Sequence, residues 1–495
     1  MNAIMKKFTA LLMYGFVLWS VVPMLRLSLS MDTQEAIVWG KYCLWGTTKH
    51  PPFSGWVAYW FYELFGQSDK AMYILSQIFV LLGVVYIYKL AECFLGKLAA
   101  VAATALQLGI IYYGYSTPEF NVNVISVGLW PMCTYYFWLG YTQNRWRDWL
   151  LFGLLVGLNL LNKYVAAMLL IAIGIFVISD RNISKLIKNI KVYVAAGVAI
   201  LLVVPHVWWL YENDFTAFNY IAGRNHGGSI TSLWGHVIYP LKFLGAQLLF
   251  AAPALLTFAW FSRKYGMSKN GGAIFWLECD RQRAVSLFIL CMSVIPVLLF
   301  ALICLISGNA AKSMWGFPCL FMWGTALFYF IPTAENEKNV GKLLNVMFVW
   351  VSLFAAAYGA QCLLTTSQRY QTEVRQVAQM FEQKWAEHTD RELKYVGADV
   401  WFGDIMALYA TKEIKPMIWM KPQNNPWFDR TDFEKNGALL IATDDWEYAQ
   451  YRELYGKAVS APLKTTLEFK NYFGKTKTKE VWYGFYEPWE VENAK

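Results

Sequence analysis

Charge is scarce in this sequence. Only 16% of its 495 residues are Asp, Glu, Lys or Arg, while 57% are hydrophobic and 18% aromatic. Those proportions argue against both an ordinary soluble domain and a disordered chain. Motifs for nucleotide and hydrolytic chemistry are also missing. There is no Walker A loop, no HExxH, no glycine pattern of a dinucleotide fold following a strand, and no GxSxG. Energy from a cytoplasmic nucleotide is therefore not expected, and a substrate should arrive already activated. The eight cysteines, Cys43, Cys93, Cys133, Cys279, Cys291, Cys304, Cys319 and Cys362, show no CxxC or Cys/His spacing, and none follows Cys362. They read as small buried hydrophobes, not as a zinc site or a disulfide framework. No internal repeat or low-complexity tract is present.

Apolar runs close to membrane-span length take up most of the chain. Hydropathy places helices near 8–27, 71–91, 98–114, 122–141, 148–162, 164–180, 192–211, 237–260, 284–306, 313–332 and 343–362. The first run is too long for a signal-peptide core and lacks a small-residue cleavage site, so it is expected to be a retained helix. Whether 148–180 is one helix or two is decided by loop charge. With two, Lys6-Lys7, Lys89 to Lys97, Arg145-Arg147, Arg181 to Lys191, Arg263 to Arg283 and Lys338 to Lys342 all share one side, the cytoplasmic one by the positive-inside rule. Of the 43 basic and 34 acidic residues, 25 and 14 precede Leu363, and this basic excess belongs to the loops and is no argument for nucleic-acid binding.

The expected architecture is thus a polytopic α-helical membrane protein of about eleven spans over 1–362. From Leu363 the pattern changes to short apolar runs alternating with polar helical stretches, read as a small extracytoplasmic α/β domain over 363–495. This topology gathers Asp32, Glu35, Lys49, His50, Glu119, Lys163, Arg224, His226 and Lys312 on the extracytoplasmic face. A cavity between helices would use such groups.

Asp32 and Glu35, in MDTQEAIVWG, share a face if the segment is helical, so one can act as a general base while the other orients it. They fit equally a solvated helix N-terminus. Lys49-His50-Pro51-Pro52 presents a cation on a stiffened backbone, suited to a phosphate, or else forms an interfacial turn beside Trp56, Tyr59 and Trp60. Lys163 interrupts LLNKYVAAMLL. A buried ammonium should meet an anion, either a lipid phosphate or a protein carboxylate such as Asp32 or Glu119. Arg224 and His226, beside Gly227 and Gly228, read as a closing segment or a plain loop. STPEFNV with Glu119 and Asn121, Tyr164 after Lys163, and GNAAKSMWG with Lys312 and Trp315 add polar and aromatic groups to the same face. A divalent cation, Mg²⁺ or Mn²⁺ on one or two carboxylates, is left open, since no dedicated ligand cluster is visible and the metal is unknown.

The order of these elements resembles a known family. An acidic pair follows the first span, then come HPP with downstream aromatics, a Leu-Leu-x-Lys-Tyr turn, and Pro-His-xx-Trp-Leu-xx-Asn-Asp. Together they are similar to the GT-C-type membrane glycosyltransferases. Within these, the protein O-mannosyltransferase-like group includes the bacterial transferases that decorate lipid A with aminoarabinose, galacturonic acid or galactosamine. The resemblance covers most of the first 330 residues. It implies a polyprenyl-phosphate-linked sugar donor, a lipid A or related glycolipid acceptor, and inversion at the anomeric centre. It implies Asp32 as catalytic base with Glu35 as its companion, and Lys49, His50, Lys163 and Arg224 as ligands of the donor phosphate. Glu119, Asn121, Tyr164, His226, Lys312 and Trp315 then line the substrate cavity. The implied site is the outer face of the inner membrane, with the C-terminal domain periplasmic. The aminoarabinose transferases usually carry Glu-Lys-Pro where this chain has Lys49-His50-Pro51, so a different sugar is in question. Two alternatives stand beside this reading: a protein O-glycosyltransferase using the same donor class, and a lipid or sugar flippase without covalent chemistry.

Overall fold

A computed structural model describes residues 1–181, 183–225, 233–266, 280–331, 333 and 335–488. The chain divides into two compact units. One comprises Met1–Val22, Tyr73–Trp208 and Ile221–Tyr358, and the other Pro23–Met72, Trp209–Tyr220 and Gly359–Lys495. The expected C-terminal domain began at Leu363. The unit that holds it also takes in the first loop and a short piece beyond Trp208.

The first unit is helical. Among the described residues, six helices are long and apolar enough to cross a membrane: Asn2–Leu25, Asp69–Glu92, Ile190–Glu212, Gly235–Tyr265, Gln282–Ser307 and Glu337–Leu364. The chain is a multi-pass membrane protein. The remaining expected spans are helical too but differ in length or regularity. The run at 98–114 gives a helix only over Lys97–Gln107, followed by a 3₁₀ turn at Ile111–Tyr113, with Gly109 and Gly114 in the break. The run at 313–332 splits into a 3₁₀ segment, Ser313–Leu320, containing Pro318, and a short helix, Trp323–Phe330. The 148–180 region is two helices, Trp146–Asn162 and Ala166–Ser179, parted where Lys163 is extended at φ −160°.

Small residues let these helices approach closely, as membrane packing requires. A Cβ on Gly153 would meet the Ala195 carbonyl at 2.3 Å, and one on Gly324 the Ala103 carbonyl at 2.2 Å. Buried amides satisfy themselves on backbone oxygens. Asn162 donates to the Val122 carbonyl at 2.8 Å and Asn159 to the Leu155 carbonyl at 2.8 Å.

The second unit is built on a five-stranded mixed sheet of β1 Tyr395–Ala398, β2 Lys415–Ile418, β3 Ala438–Ala442, β4 Leu463–Lys470 and β5 Thr476–Tyr486. The strand order is β2-β1-β3-β5-β4, parallel from β2 to β3 and antiparallel from β3 to β4. The parallel strands β1 and β3 are buried throughout, as strands covered on both faces should be. One face packs Phe381, Trp401, Phe402, Ile405, Met406 and Phe485 into a core that also receives Met31 from the first loop. The other packs Phe433, Tyr448, Tyr451 and Tyr486.

Against this domain lies a helical hairpin that hydropathy alone did not mark as elements, Met31–Lys41 and Phe53–Leu64. Its two helices touch backbone to backbone. A Cβ on Gly40 would fall 2.0 Å from the Gly55 carbonyl oxygen.

Candidate active site

The Met31–Lys41 helix starts at Ser30, which is extended and whose hydroxyl hydrogen-bonds Thr33 at 2.9 Å. Asp32 therefore lies in the first turn, where the helix dipole favours a carboxylate. Glu35, one turn on, is buried with its side chain 7% exposed, and it forms an ion pair with Lys49, itself 13% exposed. Asp32 is half-buried, and its charge reaches the same ammonium. Burial disfavours the Lys49 ammonium, but the charge and hydrogen bond of Glu35 outweigh it and hold Lys49 above its ordinary value. Among the described residues, no hydrogen bond or ion pair holds the Asp32 carboxylate itself.

A Thr47 turn aims the two basic residues. The buried Thr47 hydroxyl accepts from the Lys49 amide at 3.3 Å and the His50 amide at 3.1 Å, while the Thr47 amide donates to the His50 carbonyl at 3.0 Å. Pro51 and Pro52 follow directly and lead into the Phe53–Leu64 helix. The His50 ring meets Trp39 edge-on at 5.9 Å, and Lys49 lies 5.9 Å from the Trp39 and Tyr220 rings. Leu44 accepts from the Trp56 indole at 3.1 Å, so the turn is braced from the far side. Four sequence-predicted groups, Asp32, Glu35, Lys49 and His50, are thus brought into one loop structure.

In the helical unit, a second set converges on the Lys163 break. Lys163 is 8% exposed, and its ammonium donates to the amide oxygen of Asn123. Asn121 caps the Val122–Gln143 helix, accepting from the amides of Asn123 at 2.9 Å and Val124 at 3.3 Å. That cap sets the position of Asn123, so Asn121 acts on Lys163 through the helix start. Tyr164 and His206 share a hydrogen bond, Oη to Nε2, at 3.0 Å. Glu119 is half-buried in the turn before Asn121. Lys312 is exposed at the start of the Ser313–Leu320 segment, and Trp315 lies within it, 6.1 Å from Phe300. The helix Thr216–Asn225 includes Arg224, whose side chain lies outside the described residues, as does His226 altogether. Among the described residues, no group of three or more His, Cys, Asp or Glu is arranged to hold a metal ion.

Residues 49–209 match the dolichyl-phosphate-mannose-protein mannosyltransferase family. The chain is 25% identical over 365 residues to the lipopolysaccharide core galacturonosyltransferase RgtB of Rhizobium johnstonii, covering 72% of each chain. It is 26% identical over 255 residues to RgtA of the same organism, described in the same words, which spans half of each chain. Its fold is similar to that of ArnT from Cupriavidus metallidurans, solved with undecaprenyl phosphate, with a TM-score of 0.63 over 96% of this chain and 97% of that one at 12% identity. The apo form of the same protein gives 0.61. These matches support a membrane glycosyltransferase whose fold is similar to that of the ArnT structures.

The family match begins at Lys49 and runs through Lys163 and His206. Sequence reasoning passed over two features of this glycosyltransferase. His206 lay within the quoted PHVWWL segment but was assigned no role until its bond to Tyr164 was seen. Asp404 is a single charge in the apolar run VWFGDIMALY and is 2% exposed. The argument that singled out Lys163, an isolated charge inside apolar sequence, applies to it unchanged.

Proposed function

We propose that the protein transfers a sugar, a uronic acid in the first instance, from a polyprenyl-phosphate-linked donor to lipid A or the adjoining core of an envelope glycolipid. The reaction occurs at the outer face of the inner membrane, with the C-terminal domain on the periplasmic side. The observation that supports this most strongly is a half-buried carboxylate, Asp32, one helical turn from a buried Glu35–Lys49 ion pair. It couples a base free of internal hydrogen bonds among the described residues to a fixed cation. The curated relatives are named as acting on lipopolysaccharide core, and the solved neighbour holds undecaprenyl phosphate.

The roles follow from the bond changes. Asp32 takes the proton of the acceptor hydroxyl as its oxygen attacks the anomeric carbon on the face opposite the lipid phosphate. The bond from the anomeric carbon to the phosphate oxygen breaks, and the electron pair leaves with the phosphate, so the centre inverts. Lys49, His50, Lys163 and Arg224 are the cations assigned to that growing negative charge. Glu35 keeps Lys49 in register, and the Tyr164–His206 pair braces the backbone after Lys163. Tyr164, Glu119, Asn121, Lys312, Trp315 and His226 are assigned to the cavity around the sugar and acceptor.

The test compares envelope lipids from cells with and without the gene by mass spectrometry. A hexuronic acid increment on lipid A or core that depends on the gene supports the reading, and a hexosamine or aminopentose increment keeps the mechanism but changes the sugar. Unmodified lipids together with gene-dependent protein glycosylation would move the acceptor to a protein hydroxyl, the reaction named in the matched family's description.

A further inference from the structure

The helix that carries Asp32 and Glu35 is clamped to a helix of the C-terminal domain, Val400–Tyr409. At their starts the two are joined through Arg369. Its guanidinium contacts the Met31 sulfur at 2.8 Å and pairs at 3.7 Å with Asp399, the residue that caps the second helix by accepting from the Phe402 amide at 2.9 Å. At the other end the first helix is tied to the segments that follow the second, by Lys41 and Glu413 at 3.3 Å and by Tyr42 stacked on Trp427 with ring centres 4.4 Å apart. Between these ties, Asp404 is 2% exposed. Its Oδ2 is buried with no hydrogen-bond partner among the described residues. The charges that act on it are those of Glu35, Lys49, Asp399 and Asp32. Glu35 contacts the Lys49 ammonium, and Asp32 and Asp404 lie within electrostatic reach of it.

We propose that Asp404 is a positioning residue of the transfer site, supplied by the C-terminal domain, whose buried carboxyl sets where the Glu35–Lys49 pair lies beside Asp32. This role rests on the proposed function. Burial first, and the Glu35 charge second, push the Asp404 carboxyl well above the usual carboxylate range, with Lys49 pulling the other way. A buried Oδ2 without a hydrogen-bond partner among the described residues favours the neutral acid, which leaves the cluster with one negative charge instead of two. Ionising Asp404 adds a second negative charge beside Glu35 and Asp32, draws Lys49 away from an incoming phosphate, and repels that phosphate. Tyr42 also feels the Asp404 charge. The elements packed on the Val400–Tyr409 helix further carry the Asp399–Arg369 pair at its start, Arg375 5.0 Å over the Tyr409 ring at its end, Lys41, Lys415 and, along the Val374–His388 helix, Glu382, Lys384, Glu387 and His388.

The test uses the full chain in membranes, with transfer measured against pH for wild type, Asp404→Leu and Asp404→Asn at matched protein abundance. Asp404→Leu, which keeps the branched outline at a larger volume and removes the polar group, should lose about tenfold to a hundredfold in rate. Asp404→Asn, which mimics the neutral acid, should restore most of that rate. It should also lack the alkaline fall that the wild type shows as Asp404 ionises. Wild-type rates and pH profiles in both variants, or equal losses in both with the wild-type profile kept, overturn the role while leaving the transferase reading intact. A wild-type chain that transfers no sugar overturns the function and this role together.

Discussion

The two compact units bury amides alike but differ in the charge they bury beside them. In the helical unit the work is done by amides. Asn159 and Asn162 donate to backbone carbonyls, Gln107 donates to the Leu320 carbonyl at 3.1 Å, and Asn121 caps a helix. The sheet-bearing unit uses amides as well, with Gln34 on the Leu29 carbonyl at 2.8 Å and Asn425 on the Lys421 carbonyl at 2.9 Å, but adds ions, with Glu35 on Lys49, Arg369 on Asp399, and Asp404. An amide can be buried against one carbonyl at small net cost, whereas an ion needs a counter-charge and several hydrogen bonds. Among the described residues, the fully buried charges of the helical unit are Asp148 and Asp180 at helix ends, held by Arg147 at 3.1 Å and Tyr141 at 2.9 Å, and Lys163 at the helix break. Lys163 is thus the buried cation of this unit among the described residues, and the first loop is the place where charge is concentrated. Both features fall on residues assigned to the donor phosphate.

That contrast can be broken from either side. The largest effect is expected at the ion pair: Glu35→Gln or Lys49→Met leaves one buried charge without its partner, at a cost of about 3–5 kcal/mol. The double variant should recover much of that stability in thermal unfolding, yet none of the transfer. Next comes the helical unit's buried cation. Lys163→Met should reduce transfer about a hundredfold, and Lys163→Arg should keep part of it, read as product formed per membrane-embedded protein. Asn123→Ala should fall between them, because it removes the amide oxygen that receives the ammonium. A smaller, purely structural effect is expected at the hairpin crossing, where Gly40→Ala puts a methyl 2.0 Å from the Gly55 oxygen. Forcing those helices apart should cost about 1–3 kcal/mol and lower the unfolding temperature. The smallest is Tyr164→Phe, which deletes one hydrogen bond to His206 and should cost about 0.5–1.5 kcal/mol, with a modest rate loss.

What the sequence made legible follows the range of the interactions. Apolar runs are local, so the helices of the membrane part could be read directly, including the break at Lys163. The runs at 98–114 and 313–332 were read as full spans because hydropathy does not register glycine and proline breaks at Gly109, Gly114 and Pro318. Asp32 and Glu35 were legible as a pair because three residues of spacing imply a shared helical face. The union of the first loop with the C-terminal domain was not legible. It rests on contacts such as Tyr409 to Asp69 at 3.1 Å and Leu27 to Tyr370 at 3.1 Å, which join residues more than 300 positions apart and leave no periodic trace. Arg369 is an ordinary letter until that union is seen, and Asp404, though visible as an isolated charge in an apolar run, has no partner to point to before it.

The central claim is that Asp32 takes the acceptor proton, and it is tested most directly by Asp32→Asn assayed with a radiolabelled polyprenyl-phosphate sugar and extracted acceptor lipid. The account expects normal expression, retained donor binding and a transfer rate lower by about 10²–10⁴-fold. Transfer by Asp32→Asn at the wild-type rate would contradict it.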